Sequence, residues 1–157
     1  MSAKIPKFVI ATQSPTRTGS RYPSPYNELC MNRTKHILGN QFDLDQFGVN
    51  LAILEPGAWS SQRHWHENED EFIYVLEGVA TLADDSGEHE LVTGMCAGFK
   101  AGNGNGHCLK NLTDKRVVYL EVGTRSLNER AHYSDIDMMV TIADGAQKYT
   151  KKDGSDF

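Results

Sequence analysis

Residues 57–71 read GAWSSQRHWHENEDE, and this stretch carries the strongest signal in the chain. Side chains two positions apart on a β-strand face the same side, so His64 and His66 are predicted to point their imidazoles at one place. A turn through residues 67–70 lets the next strand return antiparallel, which brings Glu71 beside the two histidines. One hairpin is therefore predicted to supply two imidazoles and a carboxylate to a single spot.

The carboxylate of this hairpin has a second candidate in Asp70. A shift of one residue in the turn would exchange which of Asp70 and Glu71 faces inward. A further imidazole is expected from a distant strand, and His107 is the best candidate because the glycine-rich loop 102–106 before it permits positive φ. Imidazoles with one carboxylate suit one divalent Zn, Mn, Fe, Ni or Cu ion, without selecting among them. The expected metal ligands are His64, His66, Glu71 and His107.

The rest of the chain favours an all-β fold. Short runs rich in β-branched and aromatic residues, such as 48–54 and 71–77, are separated by Gly, Pro and Asp turn signals. Their spacing of roughly 8 to 12 residues is typical of a sandwich, jelly roll or barrel. One exception is expected at residues 126–131, where one or two helical turns are predicted with Ser126 as the cap and Glu129 in the capping-box position.

Three segments are predicted within one domain. Within residues 1–45, any long element is broken by Pro15, Pro23, Pro25 and Gly19, so this segment is expected to form an extended arm that packs on the barrel. Residues 46–125 are expected to form the barrel. Residues 126–157 are predicted to be a C-terminal extension that ends in a polar tail, 148–157.

Composition and charge restrict the classes of partner. The formal net charge is −5, with 16 Lys and Arg against 21 Asp and Glu, which argues against nucleic-acid binding because phosphate contacts need clustered cations. Neither an apolar run of about 18 residues nor an export signal is recognisable, so a cytoplasmic protein without membrane contact is expected. The cysteines lack metal-binding spacing and are expected to be free thiols: Cys30, Cys96 and Cys108.

These residues resemble a known family, the cupins. The first cupin motif contains a His-x-His pair, a glutamate and a later glycine, which are matched here by His64, His66, Glu71 and Gly78. The second motif is matched by Gly94, Gly102, His107 and Asn111. Two departures are present: Lys100 stands where the family usually has proline, and four residues rather than two separate Gly102 from His107.

From about residue 22 to residue 153 the chain resembles small bacterial single-domain cupins that are often labelled sugar-phosphate isomerases. The resemblance implies a double-stranded β-helix, or jelly-roll, barrel around the four ligands. It also implies a metal-dependent enzyme acting on a small oxygen-rich molecule, with Glu71 as a ligand and possible base. Two alternatives stay open, a non-catalytic ligand-binding module and a metal-dependent dioxygenase, because one fold hosts many reactions.

Substrate contacts and the oligomeric state are predicted from side chains outside the two motifs. Tyr74, Tyr119 and Lys100 are candidate substrate-binding residues near the pocket mouth, although packing alone explains aromatic side chains on strands equally well. The outward face carrying Trp65, Phe72 and Tyr74 needs cover from the arm or from a second copy. Because cupins are commonly dimers, a homodimer is expected.

Overall fold

The computed structural model describes residues 5–157, and its regular secondary structure is almost entirely β-strand. The strands are β1 (Thr16–Thr18), β2 (Arg33–Ile37), β3 (Phe47–Leu54), β4 (His64–His66), β5 (Glu71–Glu77), β6 (Val79–Asp84), β7 (Gly87–Val92), β8 (Cys96–Phe99), β9 (Cys108–Lys110), β10 (Val117–Thr124), β11 (Asn128–Tyr133), β12 (Met139–Ala143) and β13 (Ala146–Thr150). Short 3₁₀ helices cover Ala11–Gln13, Glu28–Cys30 and Gly39–Phe42. The predicted all-β class is confirmed. No helix in the described residues is long and apolar enough to cross a bilayer.

Two layers of antiparallel strands form the barrel. One layer is a six-stranded sheet in the order β1-β2-β3-β10-β5-β8. The other combines a four-stranded sheet, β13-β12-β11-β4, with a three-stranded sheet, β7-β6-β9. A backbone bridge joins these two sheets: His64 N–H donates to His107 O at 3.1 Å, and His107 N–H donates to His64 O at 2.9 Å. The bridge makes the second layer continuous and places two of the candidate ligands opposite each other.

The main core lies between the layers and follows the two-residue period of the strands. On β5, Ile73 and Val75 are buried, whereas Phe72 and Tyr74 are 41% and 39% exposed. The core residues come from both layers: Ala52, Leu54, Ala58, Ile73, Val75, Ala80, Leu82, Leu109, Val117 and Tyr119. Inward and outward positions therefore alternate as the sequence pattern predicts.

The outer surface of the six-stranded sheet is apolar across three neighbouring strands. We name this surface the outer apolar face; β3, β10 and β5 contribute Val49, Leu51, Ile53, Val118, Leu120, Val122, Phe72, Tyr74 and Leu76. Trp65 is not on this face, contrary to the expectation from the sequence. It lies on β4 in the other layer, where it stacks on His132 with ring centroids 4.4 Å apart.

The prediction of a helix at residues 126–131 is wrong, because most of this segment belongs to strand β11. Its burial alternates with a period of two, and Ala131 and Tyr133 are buried in a second core cluster with Met138 and Val140. That tertiary packing outweighs the local cap-and-box pattern. The predicted tail also begins later than expected, since β13 extends to Thr150.

Glu129 caps a turn rather than a helix. Its carboxylate is buried and accepts hydrogen bonds from the backbone N–H groups of Glu67 at 2.8 Å, Asn68 at 3.0 Å and Arg130 at 2.9 Å. The first two belong to the turn between β4 and β5, so a residue distant in sequence holds the connection between His66 and Glu71. The predicted antiparallel hairpin is wrong, because β4 pairs with β11 and β5 pairs with β10 and β8, in different sheets.

The N-terminal arm is partly integrated into the barrel. Strands β1 and β2 extend the six-stranded sheet beyond β3, so residues of the arm contribute to its inner surface. Residues 1–4 of the predicted arm lie outside the described residues. Pairing of β2 with β3 and of β11 with β4 crosses both predicted segment boundaries.

Substituting two glycines tests how tightly the turn between β5 and β6 packs against the backbone at the start of β10. Gly78 and Gly57 share a φ of +81°, but a Cβ on Gly78 would lie 2.5 Å from the backbone oxygen of Arg116, whereas one on Gly57 meets nothing within 4 Å. Gly57→Ala should cost about 1 kcal/mol of unfolding free energy for its backbone conformation alone. Gly78→Ala should cost at least about 2 kcal/mol more, because β10 must move. Urea denaturation measures both, and equal losses would contradict the packing described here.

The capping role of Glu129 predicts a loss of stability in Glu129→Gln. The amide lacks the charge and one of the two acceptor oxygens, so buried N–H groups of the turn lose their partner, at about 3 kcal/mol of unfolding free energy. The control is Glu90→Gln, an exposed carboxylate on β7. Urea denaturation of metal-free protein should separate the two variants, and a loss under about 0.5 kcal/mol in Glu129→Gln would refute the role.

Candidate metal centre

The barrel interior brings His64, His66, Glu71 and His107 together. His64 Nε2 and His66 Nε2 lie 3.2 Å apart. Glu71 Oε2 lies 2.9 Å from His107 Nε2, 3.6 Å from His66 Nε2 and 4.0 Å from His64 Nε2. The ligand atoms of His64, His66 and Glu71 all lie within 4.8 Å of one another, whereas His107 lies outside this group and approaches it through Glu71. All four residues line one cavity.

Glu71, rather than Asp70, is the carboxylate that faces the histidines. Asp70 points to the rim, where its Oδ1 lies 2.9 Å from Lys100 Nζ and accepts a hydrogen bond from Ala101 N–H at 2.8 Å. These contacts hold the pKa of Asp70 below its ordinary value, the backbone hydrogen bond most strongly. Lys100, expected to contact substrate, is 77% exposed and ion-paired with Asp70.

The backbone holds His64 in a form that can bind a cation. His64 Nδ1 lies 2.9 Å from the carbonyl oxygen of Gln62, which can only accept, so this nitrogen carries the proton and Nε2 presents a lone pair. Burial is the main reason that the pKa of His64 is lowered to about 3. The ring is therefore neutral near pH 7, with its free nitrogen directed at His66.

The carboxylate oxygen that faces the imidazoles lacks a donor. Burial would raise the pKa of Glu71, but its contact with His107 and the field of the three imidazoles lower it well below the ordinary value, so the carboxyl is ionised. His107 nevertheless lies off the line of a hydrogen bond, which leaves buried Oε2 without a hydrogen-bond partner among the described residues. A buried anionic oxygen in this state normally costs several kcal/mol, on the order of 3. The donor set fits a divalent cation.

Two further carboxylates surround His66. Glu69 Oε2 and Glu129 Oε1 each lie 3.8 Å from His66 Nδ1, a buried nitrogen without a hydrogen-bond partner in the described part of the chain. These three residues form a second group close enough to hold a metal ion. Sequence reasoning missed Glu69 as a site residue and assigned Glu129 to a helix cap, because only the pairing of β4 with β11 brings Glu129 here.

The cavity above the centre has a volume of about 750 Å³. Its cationic lining comes mostly from the arm and β2: Arg17, Arg21, Arg33, Lys35 and Arg125. None of these residues was predicted from the sequence, since the arm has no motif that marks them. The inward alternation of Arg33 and Lys35 on β2 is the one local signal that could have done so.

The two tyrosines predicted to contact substrate lie on opposite faces of the six-stranded sheet. Tyr119 is 1% exposed and lines the cavity, and its hydroxyl has no hydrogen-bond partner within the described residues. Tyr74 faces the opposite way, on the outer apolar face. Cys108 follows His107 but is buried, which raises the pKa of its thiol to about 12 and keeps it protonated. Only Tyr119 of the expected aromatic pair lies where it could touch a ligand in this cavity.

Comparison with known proteins agrees with this architecture. The cupin domain family matches residues 50–123. The chain is similar to a cupin-superfamily sugar phosphate isomerase from Silicibacter pomeroyi, with 47% identity, 96% of each chain covered and a TM-score of 0.92. It is also similar to a protein from Acidithiobacillus ferrooxidans, provisionally described as a sugar phosphate isomerase, with 26% identity, 76% of each chain covered and a TM-score of 0.71.

A more distant structure shares the fold alone. The polyketide cyclase RemF from Streptomyces resistomycificus is 22% identical, covers 75% of this chain and 78% of its own, and gives a TM-score of 0.62. No match was found among curated proteins. The fold, the arrangement of the two motifs and the similarity over nearly the full length show that this chain belongs to the cupin superfamily.

Proposed function

We propose that this cupin binds one divalent metal ion on His64, His66, Glu71 and His107 and acts as an enzyme on a small, oxygen-rich molecule of the sugar-phosphate type. The observation that carries the metal is the buried, ionised Glu71 oxygen that lies among imidazole nitrogens without a hydrogen-bond donor. The observation that carries the substrate class is the 750 Å³ cavity, which joins these ligands to a cationic wall.

The chain offers groups for proton transfer beside the ligands. A divalent ion, when bound, supplies Lewis-acid polarisation of a substrate carbonyl or hydroxyl. Glu71 is held ionised as a ligand and is also a possible base. Glu69, which lines the same cavity 3.8 Å from His66, is a second candidate base on the grounds of its position.

Isomerisation is the specific reaction that we propose. Moving a carbonyl along a sugar requires a base next to the reacting carbon and a separate grip on the remote end of the molecule. The carboxylates and the cations of the cavity meet these two needs. The similarity to the Silicibacter pomeroyi isomerase, which extends over 96% of both chains, supports the same choice.

Metal analysis tests the metal proposal. Protein purified without a chelating tag and reloaded with divalent metal should contain about one ion per chain by mass spectrometry, and His66→Ala and Glu71→Gln should retain less than about a tenth of it. The matched control is His89→Ala, whose side chain is 49% exposed on β7. Wild-type protein that stays metal-free, or His66→Ala that keeps its metal, would contradict the proposal.

The reaction is tested separately with the loaded protein. Isomerase activity on a panel of aldose and ketose phosphates should fall by roughly 100-fold or more in His66→Ala, while His89→Ala stays within twofold of wild type. Loaded wild-type protein without turnover on the panel would favour a binding module. Iron content with substrate-dependent oxygen consumption would favour a dioxygenase instead.

We also propose that a second copy of the chain covers the outer apolar face. Phe72, Tyr74 and Leu76 are 41%, 39% and 46% exposed on adjacent outward positions of β5, next to apolar positions of β10 and β3. A continuous apolar face of this kind is costly in water, and two identical faces can cover each other through a twofold axis. The expected assembly is therefore a homodimer.

Light scattering at micromolar concentration should report the mass of two chains for the wild-type protein. Phe72→Arg places a charge in the proposed interface and should shift the mass to one chain, 17.5 kDa. Leu127→Arg, at a side chain that is 77% exposed outside this face, should leave the dimer intact. A wild-type mass of one chain would contradict the dimer.

A further inference from the structure

The cationic side chains that line the cavity differ in whether they already make hydrogen bonds or ion pairs within the protein. Lys35 Nζ lies 2.6 Å from Glu121 Oε1, so its charge is balanced. Arg125 donates to the carbonyl oxygen of Leu44 at 2.8 Å. Arg33 is 7% exposed and donates to the backbone carbonyl oxygens of Ser60 and Gly19. These three side chains are fixed by the protein itself.

Arg17 and Arg21 are different, because the guanidinium group of neither makes a hydrogen bond or an ion pair with any other described residue. Both are exposed and line the cavity, and both lie near Tyr149, where their positive charges oppose the effect of burial on the pKa of its hydroxyl. Their guanidinium groups are therefore free to bind an anion at the wall that the arm contributes.

The backbone between these two arginines is held in place. Gly19 N–H donates to the carbonyl oxygen of Arg33 at 2.8 Å, and the Arg33 guanidinium donates back to the Gly19 carbonyl oxygen at 2.6 Å. Arg33 thus anchors the segment from both directions. A fixed backbone reduces the entropy lost when Arg17 and Arg21 close on a ligand.

Charge is divided along the cavity. The carboxylates Glu69, Glu71 and Glu129 surround His66 at the metal centre, whereas the unpaired cations lie on the arm. A molecule that spans the cavity would therefore meet a metal centre with one end and two free guanidinium groups with the other. Guanidinium groups bind phosphate through paired N–H···O hydrogen bonds, and two of them match a dianion.

We propose that Arg17 and Arg21 form the phosphate-binding subsite of this cavity, with Arg33 as the residue that positions the arm. The substrate is then a phosphorylated molecule whose phosphate contacts the arm while its reacting oxygens lie at the metal centre. This inference deepens the proposed function and rests on it for the second half of that statement. The subsite itself requires no metal and can be tested alone.

The first experiment measures the binding of inorganic phosphate to chelator-treated protein by calorimetry at low salt. Arg17→Gln/Arg21→Gln should weaken binding by about tenfold or more, since charge-assisted hydrogen bonds to the anion are lost. The matched control, Lys115→Gln/Arg116→Gln, removes the same charge from exposed residues outside the cavity and should stay within twofold of wild type. His66→Ala should also bind phosphate as wild type does.

The second experiment compares a hexose phosphate with its parent hexose on metal-loaded protein. Wild type should bind the phosphate ester at least about tenfold more tightly, and the arginine double variant should lose most of that preference. Three results overturn the inference: no phosphate binding by wild type, unchanged binding by the arginine variant, or an equal loss in the control. A failed metal analysis with intact phosphate binding would overturn the metal centre and leave the subsite standing.

Discussion

The backbone pair between His64 and His107 is the constraint on which the rest of the structure depends. Its two N–H···O hydrogen bonds join the four-stranded and three-stranded sheets into one layer, so the barrel closes at the same place where two imidazoles meet. The distance between these rings is consequently set by strand pairing and not by flexible side chains. Such a site is preorganised, because ordering the ligands has already occurred when the barrel folds.

The candidate site is also supported by a residue that is distant in sequence. Glu129 on β11 holds the turn that connects β4 with β5 and also lies beside His66. Folding of the C-terminal strands and placement of His66 and Glu71 are thus linked by one carboxylate. The consequence is that a site which looks local in the sequence depends on a strand some 60 residues later.

The arm completes the cavity that the barrel begins. Strand β2 adds Lys35 and Arg33 to the inner surface, and the segment around Gly19 adds two arginines whose guanidinium groups have no partner among residues 5–157. A barrel without the arm would present the candidate metal centre with a largely acidic surrounding. The arm changes this balance and gives the cavity two ends of unlike charge, which is a basis for orienting a bifunctional ligand.

Local pattern was sufficient for the strands of the barrel and for placing His64 and His66 on one side of β4, because a strand alternates its side chains regardless of its neighbours. Glu71 reaches them from the other sheet layer. The choice of Glu71 over Asp70, the placement of His107 and the absence of Tyr74 from the cavity needed the register of several strands. The segment 126–131 was misjudged because its capping pattern is local, whereas burial of Ala131 and Tyr133 is not. Only the tertiary structure brings the arginines of the arm to the ligands, since contact between distant segments is decided by strand pairing, which no short stretch of sequence encodes.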